Sequence, residues 1–118
     1  MLEKFGIGID IVKVSRFENK PYLMNKNFYK KIFLDSEINY CLKYKNPAPH
    51  FSGKFAVKES LIKSINEKIS LCQIKTSYKN SKPTVSIKKS LNKKYRFIVS
   101  ISHENDIAVA VVLSEKIK

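Results

Sequence analysis

A chain of 118 residues with 43% apolar side chains is long enough for one packed domain, spanning residues 1–118, and short for two. Twenty-three Lys and Arg against ten Asp and Glu give a net charge of +13, which suits anionic partners: phosphates, nucleic acid, anionic lipid or acidic proteins. Cys41 and Cys72 match no CxxC or Cys/His spacing, so they read as reduced thiols rather than zinc ligands. No signal-peptide core follows Met1, and no apolar run approaches the roughly 20 residues of a membrane span, so a soluble cytoplasmic protein is expected.

Phe5, Ile7, Ile9 and Ile11 alternate with Gly6, Gly8, Asp10 and Val12, the period of two that predicts a strand with one well-packed face. The glycine side carries almost no bulk, so another backbone or a ligand can come close there and find the Asp10 carboxylate. A GxGxD string without the third glycine, lying inside the strand, excludes a dinucleotide-binding turn.

A polar stretch through Arg16, Asn19, Lys20 and Pro21 comes next, followed by Phe28, Tyr29, Ile32 and Phe33 at helical spacing. Asp35 or Ser36 is the expected N-cap of a helix through Ile38, Tyr40 and Leu42. Asn46-Pro47-Ala48-Pro49 predicts a loop, because each proline fixes its own φ and disfavours helix in the residue before it. Over 51–65 the pattern is strongly helical, with Phe51, Phe55, Val57, Leu61, Ile62 and Ile65 in one apolar arc. Glu59 and Lys63 lie one turn apart just beyond its edge, where they can pair or face one ligand. Lys58 falls inside the arc and is expected to reach outward to solvent.

The remainder predicts strands over 74–78, 85–87, 97–102 and 107–113. Asn80-Ser81-Lys82-Pro83 and His103-Glu104-Asn105-Asp106 are the expected turns. Residues 68–103 hold nine Lys and Arg and no acidic residue, a lopsided charge that also fits a small basic nucleic-acid-binding protein.

Asp10 and Glu59 are carboxylates that tertiary structure could unite, and oxygen-only ligation completed by water and phosphate is what Mg²⁺ prefers. The plainer reading has Asp10 capping the next segment and Glu59 paired with Lys63. His103 is one of two histidines, and an isolated turn histidine is more often structural than functional.

Three blocks resemble one family: Gly6-Ile7-Gly8-Ile9-Asp10-Ile11; Lys54-Phe55-Ala56-Val57-Lys58-Glu59-Ser60 followed by Lys63; and Ser100-Ile101-Ser102-His103 followed by Ala108-Val109-Ala110. Their order and spacing look like the signature of the holo-acyl-carrier-protein synthases, the small trimeric bacterial type within the 4′-phosphopantetheinyl transferase superfamily. The resemblance implies an α+β fold, a small antiparallel sheet packed against a long helix, assembled as a homotrimer with active sites between subunits. It implies transfer of the phosphopantetheine arm of coenzyme A to a serine of an acidic apo acyl carrier protein, with Mg²⁺ as cofactor and no nucleic-acid or membrane partner. Asp10 and Glu59 then match the metal ligands and, with Lys63, the catalytic set. Lys63, His103, Lys54 and Lys45 match coenzyme-binding positions, and Arg16 matches the position that meets the carrier protein. The chain departs from the family pattern in three places. Lys54 stands where arginine is usual, Ser64-Ile65-Asn66-Glu67-Lys68 replaces a glycine-rich turn, and Asn80-Ser81-Lys82-Pro83 lacks the glycine two residues before the proline.

Overall fold

The computed structural model describes residues 2–117. Its elements run β1 (Phe5–Lys13), α1 (Ser15–Glu18), α2 (Lys26–Lys30), α3 (Asp35–Leu42), α4 (Ala48–Ser64), β2 (Ile74–Lys79), β3 (Lys82–Ile87), α5 (Lys89–Asn92), β4 (Tyr95–Glu104) and β5 (Ile107–Lys116). An antiparallel sheet has the order β1-β5-β4, and β2 and β3 form a separate antiparallel hairpin. This is the α+β arrangement of a small sheet against one long helix.

The bare side of β1 is what lets that helix in. A Cβ placed on Gly6 would lie 1.8 Å from the Ser64 carbonyl oxygen, and one on Gly8 would lie 1.8 Å from that of Ser60. Gly6 meets Ser64 and Gly8 meets Ser60, so α4 runs antiparallel to β1: two strand residues span about 6.6 Å and four helical ones about 6 Å. The contact is pinned by hydrogen bonds from Ser60 Oγ to the Ala110 carbonyl at 2.9 Å and from Ser114 Oγ to the Ser64 carbonyl at 2.7 Å. Ala108 and Ala110 of β5, both fully buried, continue the same low face under the helix.

The other side of β1 departs from expectation. Ile7, Ile9 and Ile11 are 59–68% exposed, so the isoleucine row is not the packed face of this chain. Register places Ile7 beside Leu113, Ile9 beside Val111 and Ile11 beside Val109, with Ile98 beyond Leu113, so an apolar patch covers β1 and β5 and reaches β4 at Ile98, while Ser100 and Ser102 continue the same face beside Val111 and Val109. Alternation identifies two faces but not which one meets the core, and two glycines permit a closer helix than isoleucines do.

The helical core on the far side of α4 is aromatic. Phe51 of α4 lies 4.7 Å from the Tyr29 ring, 5.0 Å from Phe33 and 6.1 Å from Phe17, centroid to centroid. Such pairs add about 0.5–1.5 kcal/mol each beyond their buried area, enough to hold short α1 and α2 in place.

Four local expectations are corrected. α4 begins at Ala48, three residues before the predicted start, with Pro47 as N-cap and Pro49 in the first turn. The first amides of a helix have no intrahelical acceptor, so Pro49 forfeits nothing there. α3 is capped at Leu34, not at Asp35 or Ser36, and the Glu37 carboxylate accepts the Leu34 N–H at 2.8 Å. Both hairpin turns are tighter than predicted. Asn80 and Ser81, with φ of 53° and 67°, make a two-residue turn, so Lys82 and Pro83 already belong to β3. Asn105 and Asp106 turn between β4 and β5, which leaves His103 in the strand opposite Ala108. Lys58 does not reach solvent: it is fully buried, and its ammonium donates to Glu37 Oε1 at 2.6 Å and to the carbonyls of Ile32 at 2.9 Å and Leu71 at 3.1 Å.

Candidate active site

The candidate site residues fall on two flanks of α4. On the β1 flank, the Lys63 Cβ sits where a Cβ on Gly8 would come within 3.0 Å. Its ammonium donates to the Ile9 carbonyl at 2.9 Å and to Asp10 Oδ1 at 3.2 Å. Glu59 is one turn earlier on the same side of the helix, and because α4 is antiparallel to β1 that turn lies alongside Asp10. Among the described residues the Glu59 carboxylate has no hydrogen bond or ion pair, so the expected Glu59–Lys63 pair is replaced by a pair across to the strand. Arg16 on α1 lies on this flank too, its guanidinium 5.3 Å from the centroid of the Phe55 ring.

On the other flank, His103 Nε2 lies 3.0 Å from the Pro49 carbonyl in the first turn of α4, and its ring packs against Gly53. Lys54 is buried and donates to Thr76 Oγ1 at 3.1 Å and to the Thr76 carbonyl at 3.3 Å. Its ammonium lies 4.7 Å from the Tyr40 ring centroid and 5.3 Å from that of Tyr78. Burial pulls the Lys54 pKa below the ordinary lysine value, with the neighbouring Lys58 charge acting the same way and Cys41 and Glu37 opposing. Tyr44 stacks on His50 at 3.6 Å, and Tyr40 and Tyr44 share a hydroxyl hydrogen bond of 3.0 Å. Burial holds the His50 pKa low, and the neighbouring His103 and Lys54 act the same way. Lys45 is exposed in the loop beside Tyr44.

Sequence spacing did not single out the aromatic side of this flank. Tyr40, Tyr44, His50, Thr76 and Tyr78 come from three segments and share no local motif, so only the docking of the β2–β3 hairpin onto α3 and α4 unites them. Behind them Glu37 accepts from the Thr76 N–H at 2.7 Å and from the Thr76 hydroxyl, tying that hairpin to Lys58.

The two flanks do not meet within one chain. At 3.6 residues per turn Lys54 lies about 140° around α4 from Glu59, and the helix body stands between them. Asp10, Glu59, Lys63 and Arg16 are therefore gathered on one side, and His103, Lys54 and Lys45 on the other.

Among the described residues no group of three or more His, Cys, Asp or Glu is placed to hold a metal ion. The β1 flank instead offers the Asp10 and Glu59 carboxylates beside an ammonium already drawn to Asp10 and the Ile9 carbonyl. An oxygen-lined pair of this kind fits Mg²⁺, which is commonly held by one or two carboxylates with phosphate oxygens and water completing the shell.

With this geometry in view, the relationships of the chain are clear. A profile of the 4′-phosphopantetheinyl transferase superfamily matches residues 6–112. The chain belongs to that superfamily. A protein of Thermodesulfovibrio yellowstonii named holo-[acyl-carrier-protein] synthase is 37% identical over 111 residues, covering 92% of this chain and 96% of its own. The crystal structure of the Helicobacter pylori holo-[acyl-carrier-protein] synthase in complex with coenzyme A superposes with a TM-score of 0.79 at 31% identity, covering 92% of this chain and 99% of that one. A Bacillus anthracis holo-(acyl-carrier-protein) synthase, crystallised in complex with CoA (3′,5′-ADP), gives a TM-score of 0.78 at 29% identity, covering 94% of this chain and 96% of that one.

Proposed function

We propose that this chain is a holo-[acyl-carrier-protein] synthase, transferring 4′-phosphopantetheine from coenzyme A to a serine of an apo acyl carrier protein. The observation that carries the reading is the convergence of Asp10, Glu59 and Lys63 on the β1 flank of α4, in a chain whose relatives bear that name and, in two crystal structures, coenzyme A or its fragment.

The carrier hydroxyl attacks the β-phosphorus of coenzyme A and 3′,5′-ADP leaves, so the site must position two anionic substrates, neutralise charge and take one proton. Mg²⁺ held by Asp10 and Glu59 would supply charge neutralisation at the pyrophosphate. Lys63, whose exposed ammonium reaches past the helix edge, adds a second positive charge there. Glu59, whose carboxylate makes no hydrogen bond or ion pair among the described residues, is the candidate to accept the hydroxyl proton. Arg16, beside this flank on α1, meets the acidic carrier, and the +13 charge of the chain favours encounter with it.

His103, Lys54 and Lys45 lie on the opposite flank of α4, and a single coenzyme can bridge both groups only if the second flank belongs to a neighbouring copy. This supports a cyclic homotrimer with sites between subunits, and the apolar outer face of the sheet supplies the surface for it. Free Cys41 and Cys72 accord with a reducing cytoplasm.

The test is to mix the protein with coenzyme A, Mg²⁺ and an apo acyl carrier protein and to follow the carrier by intact mass. Addition of one phosphopantetheine is expected. No addition across a range of metals and pH would overturn the reading.

A further inference from the structure

Lys63 occupies an unusual position for a phosphate-binding lysine. Its ammonium, on a half-exposed side chain, is held on two oxygens of β1, the Ile9 carbonyl and Asp10 Oδ1. One of these oxygens belongs to a carboxylate that the proposed reaction assigns to the metal. The Asp10 carboxylate is 17% exposed while the lysine side chain is 52% exposed, so the anion is the fixed partner and the cation the movable one. A long, half-exposed lysine side chain retains rotamer freedom that a strand aspartate beside a packed helix does not.

We propose that Lys63 is a placeholder cation: in the metal-free protein its ammonium fills the site of the divalent metal at Asp10, and arrival of the metal displaces it and frees it for the phosphates of the coenzyme. This rests on the metal reading given above and adds to it an exchange of one cation for another. Asp10 beside the Glu59 carboxylate is a concentration of negative charge with no other counter-ion among the described residues, and Lys63 relieves it. The divalent ion relieves it more strongly, because it brings two charges to both carboxylates. Once released, the ammonium lies at the end of a flexible stem next to the incoming pyrophosphate, so its charge is delivered when the substrate has bound. The metal-free enzyme thus has one of its two negative charges offset without recruiting a stray cation.

Mn²⁺ binding to the coenzyme-free protein, followed by loss of the free-ion electron paramagnetic resonance signal, tests the competition directly. In Lys63→Met, which keeps the stem and removes the charge, Mn²⁺ affinity should rise about two- to fivefold, the reach of a partly exposed ion pair. Lys63→Gln should behave alike, and Lys63→Arg should stay near the native value. A second readout separates displacement from a general loss of positive charge: acetylation of native Lys63 by an amine-reactive ester, mapped by mass spectrometry, should speed up when Mg²⁺ is added without coenzyme. Unchanged or weaker Mn²⁺ binding in Lys63→Met and Lys63→Gln, or tighter binding with no change in Lys63 reactivity, overturns the proposal. If Asp10→Asn still abolishes Mn²⁺ binding in that case, the metal site stands and the placeholder alone is lost. If neither the native protein nor any variant binds Mn²⁺ at millimolar concentration, both are overturned.

Discussion

Lys58 and Glu37 form an ion pair of 2.6 Å with side chains that are 0% and 1% exposed, the most deeply enclosed charges among the described residues. Every remaining donor and acceptor of the pair is met, by the Ile32 and Leu71 carbonyls, the Leu34 N–H and both polar groups of Thr76. Four segments are thereby fastened to α4. Removing one member leaves the other charged and enclosed, which typically costs about 3–5 kcal/mol. Lys58→Met should therefore lose about that much stability in urea unfolding, although methionine fills similar volume. A loss below about 1 kcal/mol would show that Glu37 is satisfied by its other donors alone.

The glycines of β1 and α4 should respond very differently to one added methyl group. Gly8→Ala drives a Cβ into the Ser60 backbone, whereas Gly53→Ala meets side chains alone, the His103 ring at 3.2 Å, which can yield, and Ile101 at an ordinary 3.6 Å. Overpacking costs about 1–3 kcal/mol where neighbours adjust and more where they cannot, so Gly8→Ala is expected to lose about 3 kcal/mol or more and Gly53→Ala under about 1. Thermal or urea melts of the two variants side by side make the comparison.

Asp10→Ala and Glu59→Ala should each lower phosphopantetheine transfer by about 10²-fold or more, the scale on which one preorganised charge-stabilising group acts. Circular dichroism should be unchanged, since among the described residues Glu59 makes no hydrogen bond or ion pair and Asp10 makes only the pair with half-exposed Lys63. Transfer at native rates in both variants would remove the carboxylates from the chemistry.

Ile9→Asp places a charge in the middle of the exposed apolar face. A side chain 59% exposed in the single chain contributes little to its core, so folding should survive while self-association is lost. Sedimentation velocity should show monomer in place of the proposed trimer, and transfer should fall with it if the site is completed by a neighbouring copy. An unchanged oligomer would place the interface elsewhere.

The His50 pKa is held below its ordinary value of 6.5 by burial first, then by His103 and Lys54. The unfolded chain therefore binds a proton at mildly acidic pH that the folded chain resists. Its contribution to stability is present above about pH 6.5 and is lost as pH falls through the lowered folded value. His50→Gln should flatten that part of the stability profile, measured by urea midpoints between neutral and acidic pH.

Much of this was legible in the chain because its signals are local. Alternation marked β1, the helical arc marked most of α4, and the spacing of Glu59 and Lys63 put both on one flank. What escaped depended on contacts between distant segments. Pro47 and Pro49 read as a break, yet the first helical turn has no amide bonds for proline to spoil. The isoleucine row read as core because alternation does not name the neighbour of each face. Lys58 read as a surface residue because its partner Glu37 lies in another helix, and the pairing of Lys63 with Asp10 rather than Glu59 reflects a strand brought close by Gly8. The departures at Lys54 and after Ser64 are likewise local facts with nonlocal meaning. Lys54 is held by Thr76 and two tyrosine rings, and Glu67 of the altered turn accepts a hydrogen bond from the Tyr95 hydroxyl at 2.9 Å.

The exposed isoleucine face has a consequence for how the protein is made. That surface is stitched from β1 at the beginning of the chain and from β5 and β4 at its end, with β5 in the middle. A nascent chain still lacking its last strand cannot display it, since β1 has no partner until β5 emerges. Any partnership through this face must therefore wait until β5 has been made and has paired with β1.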